Sequence, residues 1–363
     1  MSKHHDVPAG DDHECRAGGF SRRAFVGATA IGAAAAATGL GVSRARAAGP
    51  LVASPPTGFT PLSLPGTIVK VAKPGSLEAN GLYPKPDAAR EMLERAMKEL
   101  TGTSSLGDAF KKFVHKDDKV AVKVNGIAKG KKFSTNKELV DVILQGLLDA
   151  GVPATSIVVY EQYNSFLAST RITASNVPPG VKTTIHANKD MATDDQEFHD
   201  GKQVIKTKFA RPLIEATAVI NVSLIKDHSI CGYTGCMKNM THGSINNPSA
   251  HHAHNASPQI ANLYAHKAIT SRVRLHVIDG YKLMYDGGPV EVVSTVPHEA
   301  VYVTTDPVAM DSLGWEMVDK VRADKGLKSL EGVGRKPTYI ETAASLGLGV
   351  GDASKRTLKQ FTV

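Results

Sequence analysis

A strand, a helix and a second strand follow one another between residues 119 and 161, and that order limits the fold more than any other feature of the chain. Lys119 to Asn125 (KVAVKVN) alternates apolar and polar side chains, the period-two pattern of a strand. Ser134 or Thr135 then caps a helix running to about Ala150. Glu138 lies three residues beyond Thr135, as in a capping box, and Gly151 serves as the C′ residue. Ile157 to Tyr160 returns as a strand with Glu161 at its tip. Two strands joined through a helix pack as a right-handed parallel crossover. The expected fold is therefore α/β: a mainly parallel sheet flanked by helices, in a single large domain with long decorated loops.

The rest of the chain fits that frame. Thr67 to Ala72 reads as a strand, and Pro86 to Leu100 has apolar residues at helical spacing with Asp87 in its first turn. Residues 162–200 form a decorated connection with one short strand near Lys182 to His186, and 202–210 hold another. Ala216 to Ile225 has the β-branched content of a buried strand, with polar groups beginning at Lys226, where that strand should end. Ser257 to Ile269 reads as a helix with Pro258 at its first position, and Arg274 to Asp279 as a strand. Ala300 to Thr304 is a further strand, after which Asp306 caps a helix to about Asp324. A last small helix spans Thr338 to Leu346. The 67–350 domain is preceded by a Pro/Gly/Ser-rich arm or linker, 48–66, and followed by a C-terminal tail, 351–363.

Residues 1–47 read as an address. Ser21-Arg22-Arg23-Ala24-Phe25-Val26 is followed by a soft Ala/Gly run to Leu40 and by Ala45-Arg46-Ala47, with Arg44 and Arg46 beside the cleavage position. This is the pattern of a twin-arginine signal peptide, cleaved after Ala47. The run is too short and too weakly apolar for a stable membrane anchor. The expected partner is the twin-arginine export machinery, and the expected location periplasmic or otherwise extracytoplasmic. His4, His5, His13 and Cys15 leave with the leader. The net charge of +8 falls to about +6 without the leader, which carries six Lys/Arg and four Asp/Glu. No dense basic tract with interleaved aromatics occurs, so nucleic acid is not an expected partner. An apolar content of 42% supports a real core, and a mean hydropathy of -0.15 fits a soluble chain.

Chemistry concentrates between Ile220 and His254, just past the apolar run, where loops leaving the carboxyl ends of parallel strands converge. Lys123 and Asn125, then Lys226, Asp227 and His228, then Asp279, are polar residues at strand tips. A lysine on a central strand is costly to bury, so Lys123 is either ion-paired or lines a site. Cys231 and Cys236 are spaced C-x4-C, which is neither a zinc-ribbon nor a thioredoxin pattern, and two thiolates cannot hold an ordinary four-cysteine iron–sulfur cluster. Packed free thiols, a disulfide and a metal stay open. Thr234 caps a short helix through Met240 that would hold Cys236 in its first turn and acidify it. The amides of that turn, with Lys238, could bind an anion. His251, His252 and His254, with His228 and His242, could hold a divalent metal, against the alternative of a merely His-rich polar loop. Asp227 or Asp279 could orient a ligating imidazole. No nucleophile elbow, HExxH, GxGxxG or EF-hand loop occurs.

The ungapped pieces KVAVKVNG (119–126), LIKDHSICGYTGCMKNMTHGSINN (224–247), RLHVIDGYKLMYDGGP (274–289), TTDPVAMDSLGWEMVD (304–319) and YIETAASLGLGV (339–350) occur in this order. In this the chain resembles the domain-of-unknown-function 362 family, in its twin-arginine-exported branch. The resemblance implies an α/β fold and carries no assigned reaction. It marks Lys123, Asn125, Lys226, His228, Thr234, Lys238, Asn239, Asp306 and Asp311 as a polar signature. Some relatives append a ferredoxin-like segment, which this chain lacks.

The functional expectation is an exported enzyme acting on a small anionic substrate. Lys123, Lys226 and His228 are its catalytic candidates, with Asn125, Thr234, Lys238, Asn239 and Asp306 on the substrate and His228, His251, His252 and His254 on any metal. The alternative is a periplasmic ligand- or metal-binding maturation protein that uses the same pocket without turnover. The shared requirement is that separate strand tips gather around one hollow.

Overall fold

The computed structural model describes residues 49–127, 132–290 and 294–363; the expected leader lies outside them. Eleven strands are described: β1 (Thr67–Ala72), β2 (Val120–Lys123), β3 (Ile157–Glu161), β4 (Lys182–Ile185), β5 (Gln196–His199), β6 (Val204–Thr207), β7 (Ala218–His228), β8 (Gly232–Tyr233), β9 (Val273–Met284), β10 (Thr295–Thr304) and β11 (Thr357–Thr362). Nine form one sheet in the order β11-β1-β10-β9-β7-β2-β3-β4, with β8 folded back on β7; β5 and β6 pair separately. The β4-β3-β2-β7-β9 run is parallel throughout, and β10 runs against both its neighbours. The fold is a mixed α/β domain with a mostly parallel sheet flanked by helices.

Side-chain alternation along the strands builds the two faces. On β2, Val120 and Val122 pack with Ile220, Val222 and the helices at Pro86–Thr101, Leu106–Phe110 and Lys137–Asp149, while Ala121 packs with Val219 on the other face. All eleven residues of β7 are buried, as expected of a central strand covered on both sides.

Five sequence expectations change. The crossover helix begins at Lys137, and neither Ser134 nor Thr135 caps it. Thr135 Oγ1 instead accepts the Asn125 N–H, and Glu138 pairs with Arg171 instead of closing a capping box. β7 continues through Lys226, Asp227 and His228, because β8 and β9 supply pairing partners there. β9 likewise runs past Asp279 to Met284, with a bulge opposite Leu224/Ile225. The segment 257–269 divides at His266 into Gln259–Ala265 and Lys267–Thr270. The residues set apart as a tail supply β11, an edge strand on β1, and the preceding arm is tied down by Arg272, which donates to the carbonyls of Pro50 and Leu51.

Candidate functional site

Register fixes where the candidates lie. Lys123 is level with Asn221, Asn221 with His276, and His276 with Thr304. β2 ends at that level, whereas β7 continues for seven residues, roughly 23 Å along the strand. The upper part of β7 therefore rises beyond the end of β2, above the crevice where parallel strands usually place ligands.

Lys123 belongs to the lower level and is ion-paired. Its Nζ, 1% exposed, lies 2.9 Å from Glu161 Oε2 and donates to the Val124 carbonyl at 2.6 Å. Glu161 also accepts the Gly126 N–H at 2.9 Å and the Gln162 N–H. Beside this pair runs a buried amide chain. Asn125 donates to Asn239, Asn239 to Asn221, and Asn221 meets His276 Nδ1, whose Nε2 meets the Tyr264 hydroxyl. The Oδ1 of Asn125 has no partner among the described residues. Burial drives the His276 imidazole down to about 3, so it is a neutral link in this chain.

The upper level holds the second group. Lys226 and His228, two residues apart, share a face of β7. The His228 ring stacks on His252 at 5.6 Å and 16°, and His252 meets His242 edge-on at 4.7 Å. His242 is four residues from Lys238, and its backbone N–H donates to the Lys238 carbonyl, which puts both side chains on one helix face. The row thus closes as Lys226, His228, His252, His242, Lys238. The Lys226 ammonium donates to the Ile127 carbonyl and lies 5.7 Å from the Phe133 ring centre. Neither Lys226 nor Lys238 has an acidic partner within ion-pair distance among the described residues, although both are buried. Burial, then the charge of Lys238, lowers Lys226 to about 7, and burial lowers Lys238 as well.

Hydrogen bonds set the tautomers of the rings. His228 Nδ1 accepts the Ile230 N–H at 3.1 Å, so in the neutral ring the proton sits on Nε2. His252 Nδ1 lies 2.9 Å from the Pro248 carbonyl, which can only accept, so the lone pair is on Nε2. His242 donates from Nε2 to the His251 carbonyl and faces Thr241 Oγ1 with Nδ1. Burial, and next the charge of Lys238, hold all three rings neutral, His252 at about 4. One stacked pair therefore offers a proton donor, His228, beside a proton acceptor, His252.

The remaining histidines diverge. The backbone leaves helical geometry at His251, Ala253, His254 and Asn255. As a result His251 turns into the core against Thr207 at 2.7 Å, and His254 is exposed with φ of 53°. His252 presents a lone pair on Nε2 with its other nitrogen donating to the Pro248 carbonyl, an arrangement common in ligating imidazoles. Among the described residues no three His, Cys, Asp or Glu side chains gather as a metal-holding group.

The Gly235–Thr241 helix starts at Thr234, whose hydroxyl caps nothing. Asp311, from the Pro307–Asp324 helix, accepts the N–H groups of Cys236 and Met237 at 2.5 and 3.0 Å. A carboxylate of the chain thus fills the position expected to bind an anion. Cys231 and Cys236 are free and buried, and burial pushes both thiols up, Cys231 to about 11. The expected acidification of Cys236 fails because the site is dry and Asp311 adds negative charge.

Asp306 caps its helix as expected, through Val308 and Ala309, and its other oxygen accepts from Gly66 and Val350. All its capacity goes into the fold. Because β10 is antiparallel, Asp306 follows Thr304 toward the opposite sheet edge, with Thr304 three strand spacings, about 14 Å, from Lys123. Asp227 and Asp279 orient no imidazole: Asp227 pairs with Arg335 at 2.7 Å, and Asp279 with Asn136. The amide chain and Arg335 were missed from sequence, since their partners lie up to 114 residues away.

The comparison with curated proteins finds no match. The family described as "Domain of unknown function (DUF362)" matches residues 120–316, which span β2 to the middle of the Pro307–Asp324 helix and include every residue of both levels of the site. More than half of the chain lies within that match, and the protein belongs to this family.

Proposed function

We propose that this is an exported enzyme that transfers a proton on a small anionic substrate held by Lys226 and Lys238. One observation carries the reading: two buried amines lie close enough to the same row of imidazoles to act on their charge, and among the described residues neither has a carboxylate within ion-pair distance. An uncompensated ammonium in a dry site is costly, and a bound anion removes the cost. With the anion in place, His228 Nε2–H would donate a proton and His252 Nε2 would accept one. Lys123 belongs in this reading to the support of the crevice, since Glu161 already occupies it.

Inorganic phosphate and malonate, titrated separately, should raise the unfolding temperature of the protein, and a Lys226→Met/Lys238→Met variant should lose the response. A midpoint that stays fixed up to tens of millimolar of either anion would sink the reading. For turnover, deuterium uptake from solvent into a panel of hydroxy and keto acids is followed by NMR. Exchange that disappears in His252→Gln while anion binding persists supports the enzyme. Binding with no exchange in any of them assigns the pocket to a binding protein instead.

The paired arginines of the leader support delivery outside the cytoplasm, and no helix among the described residues is long and apolar enough to cross a membrane. An Arg22→Lys/Arg23→Lys precursor should accumulate in the cytoplasm; unchanged export would remove the twin-arginine route.

A further inference from the structure

We propose that the ligand of the upper site is a dianion, a phosphate monoester or a dicarboxylate, not a monoanion; this rests on the anion reading above. The geometry counts the charges. Lys226 approaches the row of rings from the strand side, two residues from His228 on one face of β7. Lys238 approaches it from the helix side, one turn from His242. The rings between them, His228, His252 and His242, are in van der Waals stacking or edge contact and carry no formal charge of their own. Each amine comes from a different element, and among the described residues neither has an acid within ion-pair distance.

The nearest acids are committed elsewhere. Glu161 is bound by Lys123 and by two backbone amides. Asp227 is held by Arg335 and the Gly288 N–H, and Asp311 by the first turn of the Gly235–Thr241 helix. Were a monoanion to bind, only one amine could be held charged beside it; the other would either stay neutral or be a buried charge without a counter-charge, which is the costly arrangement. Two negative charges balance two amines, and the His228 Nε2–H adds a neutral donor to the same ligand. The Glu161 pairing shows what the fold does where it wants a lysine neutralised from within: it supplies a carboxylate at 2.9 Å. At Lys226 and Lys238 it supplies none among the described residues.

The test compares phosphate, malonate and acetate by calorimetry on the full mature chain at about pH 8, at constant ionic strength. Phosphate and malonate should each bind at least tenfold more tightly than acetate. Lys238→Met should bring the favoured dianion down to the acetate level, leaving acetate nearly unchanged. Preference for phosphate over malonate would assign a phosphoryl group, and the reverse a dicarboxylate. If acetate binds as tightly as both dianions, the charge count is wrong while the anion reading stands. If none of the three binds, both fall together. Should Lys238→Met fail to fold, the ratio of affinities in the unaltered protein decides alone.

Discussion

Lys123→Met is expected to destabilise the protein by about 3–5 kcal/mol, because it strands Glu161 as a buried charge. The pair is 1% and 3% exposed, at 2.9 Å, and the carboxylate holds the backbone of Gly126 where the chain leaves β2. Gly126 itself has no room to adjust: a Cβ there would lie 1.8 Å from the Phe166 carbonyl oxygen. The loss should appear as a lower urea midpoint with an unchanged slope. A Lys123→Met/Glu161→Leu variant removes both charges and should recover most of it, since a buried ion pair is worth little against an apolar pair of similar volume. If the single variant is as stable as the parent, the ion pair is not what organises the end of β2.

How much of this was legible in the sequence follows from the range of the forces involved. Local periodicity marks β1, the β2–helix–β3 crossover and the Asp306 cap, because those are decided by residues a few positions apart. It marks no strand direction. The reversal of β10 is set by its hairpin with β9, and with it Asp306 moves to the far edge and out of the crevice. The extension of β7 through Lys226, Asp227 and His228 is also invisible locally, since three polar residues in a row resemble a loop. They remain in the sheet because Tyr233 and Gly232 pair across from Asp227 and His228, and Arg335 neutralises Asp227 from more than a hundred residues away. The residue types of the site, lysine, histidine and asparagine between positions 221 and 252, were legible. Their division into a lower level around Lys123 and an upper one around Lys226 was not, because it depends on β7 being longer than β2.

Lys226→Met should act with the opposite sign to Lys123→Met. Where Lys123 has a carboxylate, Lys226 has among the described residues the Ile127 carbonyl and the Phe133 ring, so its burial opposes the charged form. Its folded value, about 7, lies below the ordinary 10.5 of the unfolded chain. Between those two values the unfolded chain holds a proton on Lys226 that the folded chain does not. Stability of the ligand-free protein should therefore rise with pH from about 7 toward 10, and the full gap corresponds to roughly 5 kcal/mol. Below about 7 both forms are protonated and the cost stays constant. Methionine keeps the length and drops the charge, so at neutral pH Lys226→Met should be more stable than the parent by a few kcal/mol. Its urea midpoint should show a shallower rise over the same window, the remaining slope belonging to Lys238, which burial also lowers. Saturating phosphate should remove most of the difference, because a bound anion gives the parent the counter-charge that the fold withholds. A lysine kept at such a cost, when a methionine would fold better, is the mark of a residue retained for what it binds. Equal midpoints for parent and variant at pH 7, with parallel pH profiles, would show instead that water or another group already compensates Lys226, and the crevice would lose its claim on an anion.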